Sequence, residues 1–259
     1  MSHSFLVDQS GWGAVRVTGA DRVRFLQGMC MGNVDAVPEG GWLRTATLNI
    51  KGRLLSIYDL VRRTDDLLLL CQPGLADATR DLLSRHAIAD DVELERIDLA
   101  VHRVWDTPAA VWSAPPVLSP PPGPAASAEA VEVRRIEAGL PLWGVDADQE
   151  CFPFETPLAA VIDYHKGCFV GQEPLARVRA RGTPSRALRG LRLAGGAVPA
   201  RGARIRHPAR DDAGQVTSAA LSPAFGPIAL GYLHRQAWEP GGRVTVDGQD
   251  ADVVELPFG

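Results

Sequence analysis

Polar and apolar positions alternate through Gly13-Ala14-Val15-Arg16-Val17, and apolar residues then recur at Val23, Phe25 and Leu26. The first pattern has the period of a strand. The second follows Thr18-Gly19-Ala20-Asp21, where Thr and Asp stand at capping-box separation, and predicts a short amphipathic helix. Trp42 to Leu48 and Leu54 to Val61 are rich in strand formers and flank the basic, turn-like Asn49-Ile50-Lys51-Gly52-Arg53, a hairpin pattern. Thr64-Asp65-Asp66 turns the chain into Leu67-Leu68-Leu69-Leu70-Cys71, an uninterrupted apolar run that reads as a buried strand. Pro73 and Gly74 open a helix through about His86 with Leu75, Ala78, Thr79, Leu82 and Leu83 on one face, and Val92 to Ile97 and Leu99 to Trp105 return to strand. Paired strands alternating with single helices predict an α+β fold rather than a doubly wound sheet.

The punctuation changes twice along the chain. Ser113 to Ala128 contains Pro115, Pro116, Pro120, Pro121, Pro122 and Pro124, too many for a helix or a central strand, so it reads as a surface loop. After Gly182 come six short strand-like segments broken by Gly and Pro: Leu188 to Leu193, Ala203 to Arg206, Gly214 to Leu221, Ile228 to Leu233, Arg243 to Val246 and Asp252 to Leu256. Their close spacing predicts a small β-barrel. The expected organisation is a larger unit over residues 1–182, carrying the proline-rich loop 113–128, and a smaller one over 183–259.

Composition narrows the class. With 259 residues, 46% of them hydrophobic, the chain can bury a substantial core. No segment offers the ~18 uninterrupted apolar residues of a membrane span, and Met1-Ser2-His3-Ser4-Phe5-Leu6-Val7-Asp8 lacks the basic and apolar regions of a leader, so a cytoplasmic location is expected. The four cysteines have no close pairing and no Cys-x-x-Cys, which excludes a disulfide framework and a built-in zinc or iron–sulfur site. His102, His165, His207 and His234 are scattered without zinc spacing, and there is neither a Gly-x-Ser-x-Gly elbow nor a phosphate loop.

The strongest chemical signal is Lys166-Gly167-Cys168-Phe169-Val170-Gly171-Gln172-Glu173. A neighbouring ammonium or a helix N-terminus lowers a thiol's pKa and raises its thiolate fraction. Lys166 supplies the charge and a helix from about Gly171 the dipole, with Gly167 and Gly171 letting the backbone turn around Cys168. The alternative is that Cys168 is simply a small buried hydrophobe. That description suits Cys30, Cys71 and Cys151, of which Cys71 lies in the apolar run and the other two have no basic neighbour.

A second signal is electrostatic. The chain carries a net charge of -4, yet no acidic residue stands between Glu173 and Asp211, while Arg177, Arg179, Arg181, Arg186, Arg189, Arg192, Arg201, Arg204, Arg206 and Arg210 do. Such a region attracts anions: the carboxylates of an acidic small molecule, RNA phosphates or an acidic protein. It equally suits arginines that decorate strands. It contains no Phe, Tyr or Trp on which bases would stack, which disfavours nucleic acid.

Taken in order, these segments resemble the aminomethyltransferase-like superfamily, and within it the YgfZ-type branch associated with iron–sulfur cluster assembly and repair. The carriers are Val17-Thr18-Gly19-Ala20-Asp21 with Phe25-Leu26-Gln27-Gly28, Lys51-Gly52-Arg53, Arg135-Ile136-Glu137-Ala138-Gly139-Leu140-Pro141, Pro153-Phe154-Glu155, the KGCFVGQE run, and Ser222-Pro223 with Ala229-Leu230-Gly231. They span almost the whole chain. The resemblance implies a ring of fused ferredoxin-like folate-binding subdomains around a central channel, closed by the C-terminal barrel, with tetrahydrofolate or a one-carbon derivative as cofactor. It places Glu137 and Arg135 at the pterin, with Gly167, Gln172 and Glu173 as further binding residues. Cys168 becomes the essential thiol or a transient cluster ligand, and Lys166 its electrostatic partner. A carboxylate can accept two hydrogen bonds from an aminopyrimidinone, which suits Glu137. If the segment is a strand, however, Arg135 and Glu137 share a side and pair with each other.

In glycine-cleavage T-proteins an aspartate of a Gly-Gly-Ile-Ile-Asp-Asp segment sits by the folate's reactive nitrogens. Here Gly52-Arg53-Leu54-Leu55-Ser56-Ile57 puts Ser56 and Ile57 where the acids stand, removing the expected proton handler. The implied function is therefore an accessory factor for iron–sulfur client enzymes or cluster-assembly proteins, more than a classical aminomethyltransferase. Folate-dependent one-carbon transfer, and an RNA-associated factor using residues 177–210, are the alternatives.

Overall fold

The computed structural model describes residues 5–9, 11–119, 123–182 and 184–259, the Arg181 side chain excepted. Met1 to Ser4, Pro120, Pro121 and Pro122 of the proline-rich loop, and residue 183 at the expected boundary, lie outside the described residues. The N-terminal part is built on an antiparallel five-stranded sheet. Its strands are β2 (Gly13–Thr18), β3 (Trp42–Leu48), β4 (Leu54–Arg62), β5 (Leu67–Cys71) and β6 (Glu93–Ile97), in the order β3-β4-β5-β2-β6. The apolar run is β5, and its position explains its composition. Leu67, Leu69 and Cys71 enter one core cluster with Phe25, Leu26 and Leu83, whereas Leu68 and Leu70 enter another with Ala14 and Val101. A strand buried on both faces needs apolar residues at every position.

Helices α1 (Arg22–Met29) and α2 (Ala76–Ser84) cover one face of this sheet. The expected Asp21 capping box is not formed: the Asp21 carboxylate accepts the Asp91 amide at 3.0 Å and joins two turns instead. In α2 the buried positions are Ala76, Thr79 and Leu83, and Ala78, expected on that face, is exposed. The opposite face meets a smaller two-stranded sheet of β1 (Leu6–Asp8) and β7 (His102–Val104), flanked by α3 (Ala110–Ser113) and α4 (Ala128–Ala138). One ferredoxin-like sheet is thus complete, and its neighbour is abbreviated.

Between the two sheets lies a charged cluster closed to solvent. The Asp59 carboxylate receives Arg44 Nε at 2.8 Å and Arg103 Nη2 at 2.6 Å, and all three side chains are at most 2% exposed. Trp42 and Trp112 face the guanidiniums. Burial pushes the Asp59 carboxyl up, but Arg44 and Arg103 outweigh it and hold it below the usual carboxylate range.

Six strands form the closed C-terminal barrel: β8 (Arg186–Leu193), β9 (Arg204–His207), β10 (Arg210–Ser222), β11 (Gly226–His234), β12 (Arg243–Val246) and β13 (Gln249–Val254), ordered β10-β11-β8-β13-β12-β9. The joint between barrel and N-terminal part is Asp146. Its carboxylate accepts Arg135 Nη1 (2.6 Å), the Leu142 amide (3.1 Å), Thr217 Oγ1 (2.5 Å) and Ser218 Oγ (2.7 Å), and its carbonyl accepts Tyr232 Oη (2.8 Å). The buried Asp146 side chain therefore ties α4, the following loop and β10 together, and its main-chain carbonyl adds β11.

Replacing Asp146 by Ala leaves a buried guanidinium and two hydroxyls without their acceptor. The expected loss is about 3–5 kcal/mol, a large part of a typical domain's stability, read as a lowered urea midpoint. The Asp59 cluster predicts the acid limb. Because the folded carboxyl titrates below its unfolded value near ~3.9, its stabilisation is full above that pH and is lost as pH falls through the folded value. Tryptophan fluorescence against pH should show this loss in the wild type, and Asp59→Asn should be less stable at neutral pH with a shallower acid decline.

Candidate functional site

Two separate places hold the residues singled out by sequence. The first is a cavity of about 400 Å³ between α4 and the β10–β11 turn. Ser127 accepts the Ala130 amide at the start of α4, and Gly139 ends it in the left-handed conformation at φ 69°. A Cβ at Gly139 would fall 2.7 Å from Leu256, so the site admits only glycine. The expectation of a strand at Arg135–Glu137 is corrected, and with it their pairing. Within a helix, Ala130, Val133, Arg134 and Glu137 share one face, and that face lines the cavity.

Glu137 lies at the cavity's floor, 4% exposed. It accepts Ser222 Oγ at 2.7 Å and pairs with Arg134 at 3.3 Å, which leaves acceptor capacity on a carboxylate able to take about four hydrogen bonds. Arg134 Nε is buried without a partner, and the guanidinium lies over the Phe5 ring at 5.3 Å. Phe5, Pro108, Leu221, Pro223 and Phe225 supply apolar walls. Acceptors, donors and apolar surface thus converge in a volume within the usual ligand range of about 300–1,000 Å³.

Arg135 does not reach this cavity with a free donor. Its five N–H groups go to Glu132 twice, Leu140 O, Asp146 and Ser218. Sequence reasoning missed Arg134, Phe5 and Phe225. Arg134 was legible in principle, because Ser127 and Gly139 bracket a helix and place it one turn before Glu137.

The second place is the KGCFVGQE loop, and none of its residues lines the first cavity. Cys168 is exposed, whereas Cys30, Cys71 and Cys151 are buried. Burial pushes the Cys30 and Cys151 thiols up and Cys71 up to about 12, so those three stay protonated near neutrality. Lys166 is not bonded to Cys168. It is 7% exposed, and its Nζ donates to the carbonyls of Cys30 (2.8 Å) and Gly32 (2.6 Å) while lying over the Phe169 ring. Burial lowers the pKa of this ammonium.

The remaining loop residues have local roles. Gly171 caps α5 (Gln172–Arg181) at φ 83°, and a Cβ there would come within 2.6 Å of Asn49 O. Gly167 has neither a positive φ nor a neighbour within reach of a Cβ, so it is not needed for a tight turn. The Gln172 side chain accepts the Phe169 amide, and the exposed Glu173 pairs with Arg177.

The other sequence signals disperse. Ser56 is buried against Thr79, Ile57 is core, and Asp59 is sealed between arginines, so no carboxylate of β4 is open to a ligand. Arg179 lies over Tyr164, Arg186 pairs with Glu155, Arg189 donates to Trp238 O, Arg192 lies over Phe225, and Arg204 and Arg206 pair with Asp211. Folding therefore distributes the arginine stretch over α5 and the barrel. Among the described residues no cluster of three His, Cys, Asp or Glu could hold a metal, and no helix is long and apolar enough to cross a membrane.

Residues 186–258 match the family model of the glycine cleavage T-protein C-terminal barrel domain. The tRNA-modifying protein YgfZ of Yersinia enterocolitica is 26% identical over 242 residues, covering 76% of this chain and 73% of that protein. These two matches support a place for the chain in the YgfZ and T-protein-like superfamily. An aminomethyltransferase of Saccharopolyspora erythraea is 40% identical over 130 residues, 48% of this chain but just 35% of that enzyme's length. The glycine cleavage aminomethyltransferase T of Bartonella henselae shares the fold, with a TM-score of 0.82 and 21% identity, covering 100% of this chain and 87% of that one.

Thiol burial sets the expected labelling of this protein. With Ellman's reagent the native, reduced protein should release one rapid equivalent from Cys168, and the remaining three thiols should react upon denaturation. A Cys168→Ser variant should show no rapid equivalent.

Proposed function

We propose that this protein is a folate-binding accessory factor that supports assembly or repair of iron–sulfur clusters in client enzymes, with Cys168 as the reactive thiol. The observation that carries the reading is the buried Glu137 carboxylate on the floor of the cavity between α4 and the barrel. The family resemblance puts the carboxylate that meets the pterin ring at this residue. The residues fit a tetrahydrofolate or one-carbon derivative: Glu137 has acceptors for an aminopyrimidinone edge, the orphaned Arg134 Nε offers a donor, and Phe5 and Phe225 offer ring faces. Arg135 contributes indirectly, by fixing α4 through Asp146.

When bound, the folate would supply a one-carbon carrier. Binding and orientation fall to the protein's own residues. Glu137 and Arg134 orient the ring, the apolar walls limit water, and Ser222 holds the carboxylate in place. Cys168 lies in the separate loop, and Gly167, Gln172 and Glu173 belong with it rather than with the cofactor cavity. In this reading Cys168 serves as a transient ligand to a cluster, which is the cargo, or as a thiol nucleophile.

Aminomethyl transfer of the T-protein kind is disfavoured, because β4 presents no open carboxylate to move the proton. The tRNA-modifying name of the Yersinia relative fits an indirect route in this reading: cluster-dependent client enzymes, working in the cytoplasm, carry out the modification. The dispersal of the arginines argues against direct RNA binding through residues 177–210.

Calorimetric titration of the reduced protein with tetrahydrofolate tests the reading. Binding should weaken at least about tenfold in Glu137→Ala, the effect of losing charge-assisted hydrogen bonds worth roughly 1.5–3 kcal/mol. Cys168→Ala should bind folate as the wild type does and fail to support client enzymes in cells. Unchanged client activity in that strain would remove the accessory role.

A further inference from the structure

The loop that displays Cys168 is fastened to the end of α1 at several points, and Lys166 makes the central one. On one side of the thiol, the Asp163 amide donates to Met31 O at 3.0 Å, and the Asp163 carboxylate accepts the His165 and Lys166 amides at 2.7 and 3.0 Å. On the other side, the Val170 amide donates to Gly28 O at 3.0 Å. Between them the Lys166 ammonium crosses from the loop to the 30–32 segment and bonds two carbonyls, with the Phe169 ring on a further face. The carbonyls it takes belong to a segment running on from the C-terminal end of α1, where a cation is favoured. Gly171, pressed against Asn49, closes the far end of the loop.

A cation that activates a thiol has to face it. This one faces inward: it is buried among carbonyls, and the thiol that feels its charge is Cys30, itself buried. Cys168 and Gly167 are left exposed at the tip. We infer that Lys166 is a positioning residue, a latch that holds the Cys168 loop on the end of α1 and fixes the thiol outward toward an acceptor arriving from solution, rather than an electrostatic activator of that thiol. This rests on the reading of Cys168 as the reactive thiol, and it replaces the role that adjacency in sequence implies for the lysine.

The two roles separate by measurement on the full-length protein. The rate of Cys168 alkylation by iodoacetamide is followed against pH in the wild type, Lys166→Met, Lys166→Gln and Lys166→Arg, alongside amide hydrogen exchange. A latch predicts an unchanged pH midpoint in Lys166→Met, with exchange at Asp163 and Val170 faster by about tenfold or more. It also predicts that Lys166→Gln, which keeps two N–H donors without the charge, restores part of the protection. A midpoint higher by about one unit in both neutral variants would overturn the proposal, since that is the signature of a lost neighbouring charge. Unchanged exchange in Lys166→Met would overturn it as well. Should Lys166→Met fail to fold, the wild type decides: exchange at Asp163 and Val170 no slower than at Gly167 excludes a latched loop. Neither readout needs folate or a client enzyme, so loss of the accessory-factor reading would leave this result standing.

Discussion

The carboxylate of Asp146 is the constraint on which the rest of the arrangement depends. Four donors from three parts of the chain converge on it, including a guanidinium that is otherwise wholly engaged inside the protein. A charge this deeply buried is costly unless every partner is in place, so the geometry of α4 relative to the barrel admits little slack. The cavity floored by Glu137 exists because of that. Its walls come from α4 on one side and the β10–β11 turn on the other, and Ser222 reaches from the turn to the carboxylate. Arg135 and Glu137, two residues apart, divide the labour: one fastens the helix and the other faces the cavity.

The thiol and the cavity are organised by different means. Glu137 is held by tertiary packing between two units, and its polarity is offset by one hydroxyl and one guanidinium. Cys168 sits on a loop fastened by backbone amides and a buried ammonium, with its own side chain in solvent. A group that must meet a large external acceptor gains from exposure on a fixed support, whereas one that must orient a small ring gains from enclosure. The separation of the two is what an accessory factor handling a small cofactor and a macromolecular client would need.

In the five-stranded sheet, the polar positions of β4 are given over to packing. Ser56 and Ile57, which the family resemblance sets against the T-protein acids, serve the core: Ser56 bonds Thr79, and Ile57 joins the apolar cluster that holds Leu175 of α5. The acid that β4 does keep, Asp59, balances two arginines between the sheets. That cluster fills the interior with ion pairs and tryptophan faces, and the candidate cavity lies elsewhere, against the barrel.

The strands of the five-stranded sheet and of the barrel were legible in the chain because their pattern is local: period-two apolar residues, a doubly buried run at Leu67–Cys71, and glycine or proline at the turns, whereas the three-residue β1 is too short to carry such a pattern. The Cys168 motif was legible too, since Lys166 to Glu173 is contiguous, but that its thiol is exposed came from the fold. Glu137 was found through resemblance, but its partners were not, because Arg135–Glu137 was read at strand period and Arg134 and Arg135 exchange roles once the segment is helical. The lysine beside Cys168 is the clearest case. By itself the sequence determined that a cation and a thiol are two residues apart, along with the strand pattern around them. Where the ammonium points was decided by the tertiary structure alone, because carbonyls more than 130 residues away satisfy a buried charge better than a solvent-exposed neighbour does.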